Sequence, residues 1–208
     1  MKDDMDTQRP NLIFILPDQC GATALRCYGN SDVRTPNLDR LAQESVVFDR
    51  AYTASPVCTP FRGTLFTGRY PTQTGVLKNG YRIPHEEVTL AELFNRGGYH
   101  TAYVGKWHLS GPPGANRWIP AQERAGFETF IGWESHHVDH WKGRIWADDP
   151  DHPLPMPGHE TDALTDIALG VLERLESPFC LFIAYQSPHP PCEPPQAFRE
   201  FYQDRPLQ

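Results

Sequence analysis

Three short apolar runs constrain this chain more than anything else in it. They are Asn11-Leu-Ile-Phe-Ile-Leu16, Tyr99 to Val104 and Phe179 to Ala184, each rich in strand formers. The first and last are apolar at nearly every position rather than at alternate ones. That pattern predicts strands buried on both faces, as in a parallel sheet covered by helices. Helical patterns lie between the runs. Thr35 as N-cap and Pro36 at N1 open a helix reaching Glu44, with Leu38 and Leu41 facing inward. A second helix is predicted from Pro60 to about Thr67, stopped by Gly68. A third covers Val88 to Arg96, ended by Gly97-Gly98, and a fourth covers Thr161 to Leu175 with apolar residues at helical spacing. Ser45-Val-Val-Phe48 predicts a further short strand. Alternating strands and helices give an α/β architecture with helices on both faces of the sheet.

The 208 residues suit one domain with one substantial core. Residues 1–8 form a polar tail and 9–208 the domain. Its stretch 110–158, rich in Pro, Gly, Trp and His, predicts a long surface excursion. The net charge of −7 comes without any basic stripe, which argues against nucleic acid as a partner. Leu12 to Leu16 is too short for a signal-peptide core or a membrane span, so the expectation is a cytoplasmic protein with no membrane partner. The five cysteines include no CxxC pair, which excludes the usual zinc and disulfide frameworks.

The chemistry concentrates just after the strands, at Asp18, at Lys106 and His108, and at His189. Ligands of open α/β sheets bind beyond the carboxyl ends of strands, so these separated segments point to one site. Ser55-Pro-Val-Cys58-Thr-Pro60-Phe-Arg62 adds a cysteine just before a helix whose first turn contains Pro60. Unpaired amides and the helix dipole favour an anion there, and a cysteine in that position is expected to be acidic and reactive. Arg62 adds a permanent charge and a donor fork suited to a tetrahedral oxyanion. Asp18 and Gln19 offer hard oxygens, which suit calcium or magnesium better than zinc. Lys106 and His108 stand two apart on an expected strand extension and should face the same side. His136-His137-Val-Asp139-His140-Trp141 looks metal-like but lacks zinc spacing, and predicts a pocket-lining or solvated loop.

Cys58-Thr-Pro60-Phe-Arg62 followed by Leu65-Phe-Thr67-Gly68-Arg69 closely resembles the signature of the type I, formylglycine-dependent sulfatases. Further segments agree in order: Pro10-Asn11 with Asp18-Gln19, Tyr28-Gly-Asn30, Arg34-Thr-Pro-Asn-Leu-Asp-Arg-Leu41, Gly105-Lys106-Trp107-His108-Leu109 and Ser187-Pro188-His189-Pro190. Three departures stand out. Phe61 replaces a small residue, Gln19 replaces a second aspartate, and the family's later Asp-Asn or Asp-His pair, further lysine and C-terminal subdomain would fall beyond Gln208.

The resemblance implies an alkaline-phosphatase-like α/β/α sandwich with a largely parallel sheet, incomplete at its C-terminal side. It implies a sulfuric ester hydrolase in which a formylglycine-generating enzyme converts Cys58. The hydrated aldehyde, a geminal diol, would attack sulfur with one hydroxyl and expel sulfate through the other. Asp18, Gln19 and residue 58 would hold a divalent metal, Ca²⁺ first, with Mg²⁺ or Mn²⁺ as alternatives. Arg62 and Lys106 would bind the sulfate oxygens, and either His108 or His189 would protonate the leaving alcohol. The substrate would be a small-molecule or carbohydrate sulfate ester. A phosphonate monoester or phosphodiester hydrolase of the same superfamily, or a truncated, inactive sulfatase-like protein, are the competing expectations.

Overall fold

The computed structural model describes residues 9–112, 117–134 and 137–205. Its main sheet has four parallel strands: β1 (Leu12–Pro17), β2 (His100–Lys106), β3 (Thr129–Trp133) and β6 (Phe179–Tyr185), in the order β1-β6-β2-β3. The register sets Leu12 opposite Cys180, Gly105 opposite Ala184 and Lys106 opposite Trp133. The Asn11 side chain locks the start of β1 to β6, accepting from the Phe179 amide at 3.1 Å and donating to Ser177 Oγ at 3.0 Å. Such a side chain takes over pairing where the backbone ladder has not yet begun.

Side chains alternate across the strands, so the sheet feeds two cores. One face carries Tyr103, Cys180 and Phe182 and packs against Phe66 of α2 (Cys58–Thr67) and Ala91 of α4 (Leu90–Arg96). The other carries Ala102, Val104 and Leu181 and packs against Ala163, Leu164, Ala168 and Val171 of α5 (Glu160–Leu172). This is the expected helix–sheet–helix layering. Thr89 caps α4 in a reciprocal pair with Glu92, and Gly68 ends α2 in the left-handed conformation at φ 67°.

Four expectations are corrected. β1 is an edge strand covered on one face only: Leu12, Phe14 and Leu16 pack inward, but Ile13 and Ile15 are 48% and 62% exposed. Leu38 and Leu41 of α1 (Pro36–Gln43) point outward, and Val46 and Phe48 form no strand and lie exposed. Hydrophobic spacing names a face but not what covers it. The described part of residues 110–158 is not a surface excursion. It supplies β3 and the buried Ile119, Phe127, Phe130, Trp133, Val138, Ile145 and Met156. A short antiparallel pair, β4 (Arg144–Ile145) with β5 (Leu154–Pro155), braces β3 through a Gly132–Trp146 bridge. The sparse periodicity hid a strand only five residues long. Short helices α3 (Pro71–Thr74) and α6 (Gln196–Tyr202) complete the described chain, and none of its helices is long and apolar enough to cross a membrane.

Candidate active site

β1, β2 and β6 run in one direction and end together, which brings their C-terminal neighbours to one edge. Asp18 leaves β1 with its amide still bonded to Tyr185 O at 3.1 Å. Gln19 follows, exposed and with a left-handed φ of 61°, so the chain turns there at once. β2 runs two residues further than expected and delivers Lys106 as its last residue. Gly105 makes this possible: at φ 118° a Cβ would collide with the Ala184 carbonyl of β6. Only glycine tolerates both the angle and the approach.

Helix α2 begins at Cys58 itself, with Val57 as N-cap, rather than after it. Valine cannot cap. Asn79, twenty-one residues beyond Cys58, does so instead, accepting from the Thr59 amide at 3.0 Å. Pro60 has no amide, so among the first three helical residues only Cys58 keeps an N–H to offer an anion. The helix end is therefore a poorer anion site than its position suggested, and the side-chain cations must carry that role.

Cys58 Sγ lies 3.5 and 3.8 Å from the two Asp18 carboxylate oxygens. Lys106, wholly buried, forms an ion pair with Asp18. Arg62, one turn after Cys58, is 2% exposed and donates to Tyr103 Oη at 2.9 Å and to the Lys106 carbonyl. Ligand atoms of Asp18, Cys58 and His189 all lie within 4.8 Å of one another. The structure thus joins Asp18, Cys58, Arg62, Lys106 and His189 in one group.

The charges within that group explain its titration. Burial disfavours ionised Asp18, but Arg62, Lys106 and His189 outweigh it and hold the carboxyl below its ordinary range. Lys106 is pushed down by burial and by Arg62, more than Asp18 pulls it up. Two cations share one carboxylate, so the site has positive charge to spare for an anionic ligand. The Cys58 thiol is raised, first by burial and then by the Asp18 carboxylate, which together exceed the pull of Lys106 and Arg62. The expected acidic cysteine is therefore corrected: the adjacent carboxylate opposes thiolate formation.

His108 departs from its expected setting. The strand ends at Lys106, and His108 sits at φ 59°, so period-two alternation does not relate the two side chains. It is 2% exposed, and its carbonyl accepts from Thr59 Oγ1 at 2.8 Å, tying the 107–110 turn to the first turn of α2. His136 lies outside the described residues. The ring of His137 stacks 6.3 Å from that of His189. His140 is neither solvated nor pocket-lining: it is 4% exposed and bonded to the Pro191 carbonyl at 2.8 Å.

Three supporting residues escaped sequence reasoning. Tyr103 bridges Arg62 and the Lys106 carbonyl, and burial pushes its phenol to about 12. In sequence it reads as strand core. Asn79 reads as ordinary Asn-Gly turn chemistry. Glu134 is 2% exposed and accepts from the Leu109 and Ser110 amides, each at 3.2 Å, so it holds the turn after His108. A lone glutamate after a predicted loop gives no such signal.

A family model described as Sulfatase matches residues 10–207. An ulvan-active sulfatase of Formosa agariphila is 36% identical over 198 residues, covering 93% of this chain and 38% of that protein. An N-acetylglucosamine-6-O-sulfatase of Bacteroides thetaiotaomicron is 32% identical, covering 88% of this chain and 31% of that protein. A solved structure described in complex with its substrate D-glucosamine-2-N,6-O-disulfate superposes with a TM-score of 0.83 at 28% identity, covering 97% of this chain and 39% of that one. The chain spans well under half the length of these relatives.

Proposed function

From the premise that this chain belongs to the sulfatase family, with its alkaline-phosphatase-like α/β fold, we propose that the protein hydrolyses sulfate esters of carbohydrates through a formylglycine derived from Cys58. The observation that carries this reading is the convergence of Cys58, Asp18, Lys106 and Arg62 at one sheet edge, with Sγ 3.5 Å from the Asp18 carboxylate. An unmodified thiol raised by burial and by that carboxylate is a poor nucleophile. A hydrated aldehyde in its place has no such handicap, because Asp18 can accept a hydrogen bond from a hydroxyl. The intact Cys58, Pro60 and Arg62 supply what a formylglycine-generating enzyme would read. The carbohydrate class rests on the named substrates of the similar proteins.

Residues of this chain then divide the work. Lys106 and Arg62 neutralise charge on the sulfate oxygens, in a buried setting where such contacts are strong. Asp18 orients the diol at position 58, whose first hydroxyl gives up its proton to the Asp18 carboxylate as its oxygen attacks sulfur and the ester alcohol leaves. His189, half-buried beside Cys58, supplies the proton to that alcohol. His189, left neutral by that transfer, then takes the proton of the second hydroxyl, and collapse to the aldehyde releases sulfate. Asp18, the Gln19 carbonyl and the oxygens at residue 58 would hold a divalent cation, Ca²⁺ by their hardness and Mg²⁺ or Mn²⁺ otherwise. Ionised Asp18 within 4.8 Å of residue 58 and His189 fits such an ion, the thiol sulfur standing where a diol oxygen would be. Bound there, the ion supplies Lewis-acid stabilisation of the transferring group.

The test pairs substrates on the gene product as the cell makes it, coproduced with the converting enzyme. Sulfate release from a glucosamine 6-O-sulfate should exceed hydrolysis of an equivalent phosphonate monoester or phosphodiester by about tenfold or more, or roughly 1.4 kcal/mol of transition-state preference. Faster cleavage of the phosphorus esters would overturn the assignment.

A further inference from the structure

A second cluster of ligand-type side chains lies apart from the Asp18–Cys58 group. His140 comes from the turn after β3, His159 is the N-cap of α5 and Glu160 is its first residue. They are 4%, 7% and 0% exposed, and one ligand atom from each lies within 4.8 Å of the others. Both imidazoles are oriented alike. His140 Nε2 meets the Pro191 carbonyl at 2.8 Å and His159 Nε2 the Glu193 carbonyl at 3.2 Å. A carbonyl accepts only, so each Nε2 carries a proton, and each Nδ1 is the nitrogen turned toward the cluster. Metal-ligating histidines characteristically anchor their other nitrogen in this way.

His140 Nδ1 stands between an amide and a carboxylate. It lies 3.3 Å from Glu160 Oε1 and 3.2 Å from Gln186 Nε2. The Gln186 amide is fixed in orientation, its Oε1 accepting from Val138 N at 2.7 Å and its Nε2 donating to Val138 O at 3.1 Å. An unprotonated Nδ1 accepts from the second N–H of that amide but also faces the Glu160 carboxylate oxygen, a contact that needs a proton or a metal cation between the two atoms. The remaining contact, from the Thr161 amide to His159 Nδ1, is long at 3.3 Å. Glu160 Oε1 accepts from Thr161 Oγ1 and Ser187 Oγ, each at 2.8 Å, yet its buried Oε2 has no hydrogen-bond partner among the described residues.

We propose that His140, His159 and Glu160 form a zinc site that pins the segment carrying His189. Two imidazole nitrogens and one carboxylate suit zinc and are too poor in oxygen for calcium. The ion would clamp the 137–140 turn, the start of α5 and residues 186–193, all of which already meet at Glu160, His140 and Ser187. Three protein ligands leave the fourth tetrahedral position to a water or to another group of the pocket.

The test is zinc stoichiometry by elemental analysis of the full chain, titrated with zinc alone and dialysed. Three variants accompany it. His159→Asn keeps an acceptor for the α5 cap but removes the imidazole, Glu160→Gln is isosteric, and Asp18→Asn disables the other ligand group. Wild type and Asp18→Asn should each retain about one zinc, whereas His159→Asn and Glu160→Gln should bind it roughly tenfold or more weakly. Cobalt substitution of wild type should give visible d–d bands of nitrogen–oxygen ligation, a readout that needs no variant. Wild type retaining no zinc, retention unchanged in both His159→Asn and Glu160→Gln, or loss caused by Asp18→Asn instead, would each overturn the site.

Discussion

Lys106 shows how a residue can be visible in a sequence while its energetics are not. The Gly-Lys-Trp-His-Leu segment resembles the family's sulfate-binding motif, but Lys106 is fully buried against Asp18 rather than lying on a free surface. Lys106→Ala therefore leaves a carboxylate without its partner. The expected outcome is a kcat lower by about 10²–10³-fold, from the loss of one preorganised charge contact. Stability should fall by roughly 3 kcal/mol, because breaking a buried pair strands the remaining charge. Turnover and melting temperature measured beside wild type check both. Activity within threefold of wild type, which is under about 0.7 kcal/mol, would remove Lys106 from the site. Cys58 repeats the lesson with the opposite sign. Its place beside a helix and Arg62 suggested an acidic thiol, but burial, and then the Asp18 carboxylate brought in from forty residues earlier, raise it instead.

Helix α2 is the element that turns these residues into a site, and its ends were unequally legible. Gly68 stops it as its sequence says, since a left-handed residue is needed there. Its start was misplaced because the cap is not local: Val57 offers nothing, and Asn79 reaches back to the Thr59 amide. Asn79→Ala should therefore destabilise the protein by about 1 kcal/mol, the usual cost of a lost N-cap. It should also loosen the position of Cys58, one residue from the capped amide. Denaturant melts and hydrogen exchange at Thr59 check this. An unchanged midpoint with unchanged Thr59 protection would mean that the contact carries no load. β3 was missed for a related reason: five residues inside an irregular stretch carry too little pattern to register against their Pro- and Trp-rich flanks.

The α/β layering was readable because near-continuous apolar runs favour strands covered on both faces, between helical patterns. That holds for β6, and β2 is covered on both faces although its own run is mixed. For β1 the run states what the strand needs rather than what supplies it, and among the described residues nothing covers Ile13 and Ile15. Leu38, Leu41, Val46, Phe48 and Tyr52 add exposed apolar surface, and the free edge of β1 adds unpaired backbone groups. Surfaces of that kind associate. The 208 residues studied alone should self-associate in a concentration-dependent way, as light scattering would detect. A monodisperse monomer across a wide concentration range would contradict this. The convergence of three strand ends on one edge underlies the proposal that residue 58 acts as formylglycine on a sulfate ester. It is tested most directly by preparing the gene product with graded levels of the converting enzyme. The fraction of chains lighter by about 18 Da at residue 58, as CH₂SH becomes CHO, is then compared with the rate of sulfate release from a carbohydrate sulfate. Turnover should rise in proportion to that fraction and vanish where Cys58 is wholly unconverted, whereas equal turnover from unconverted protein would contradict the account.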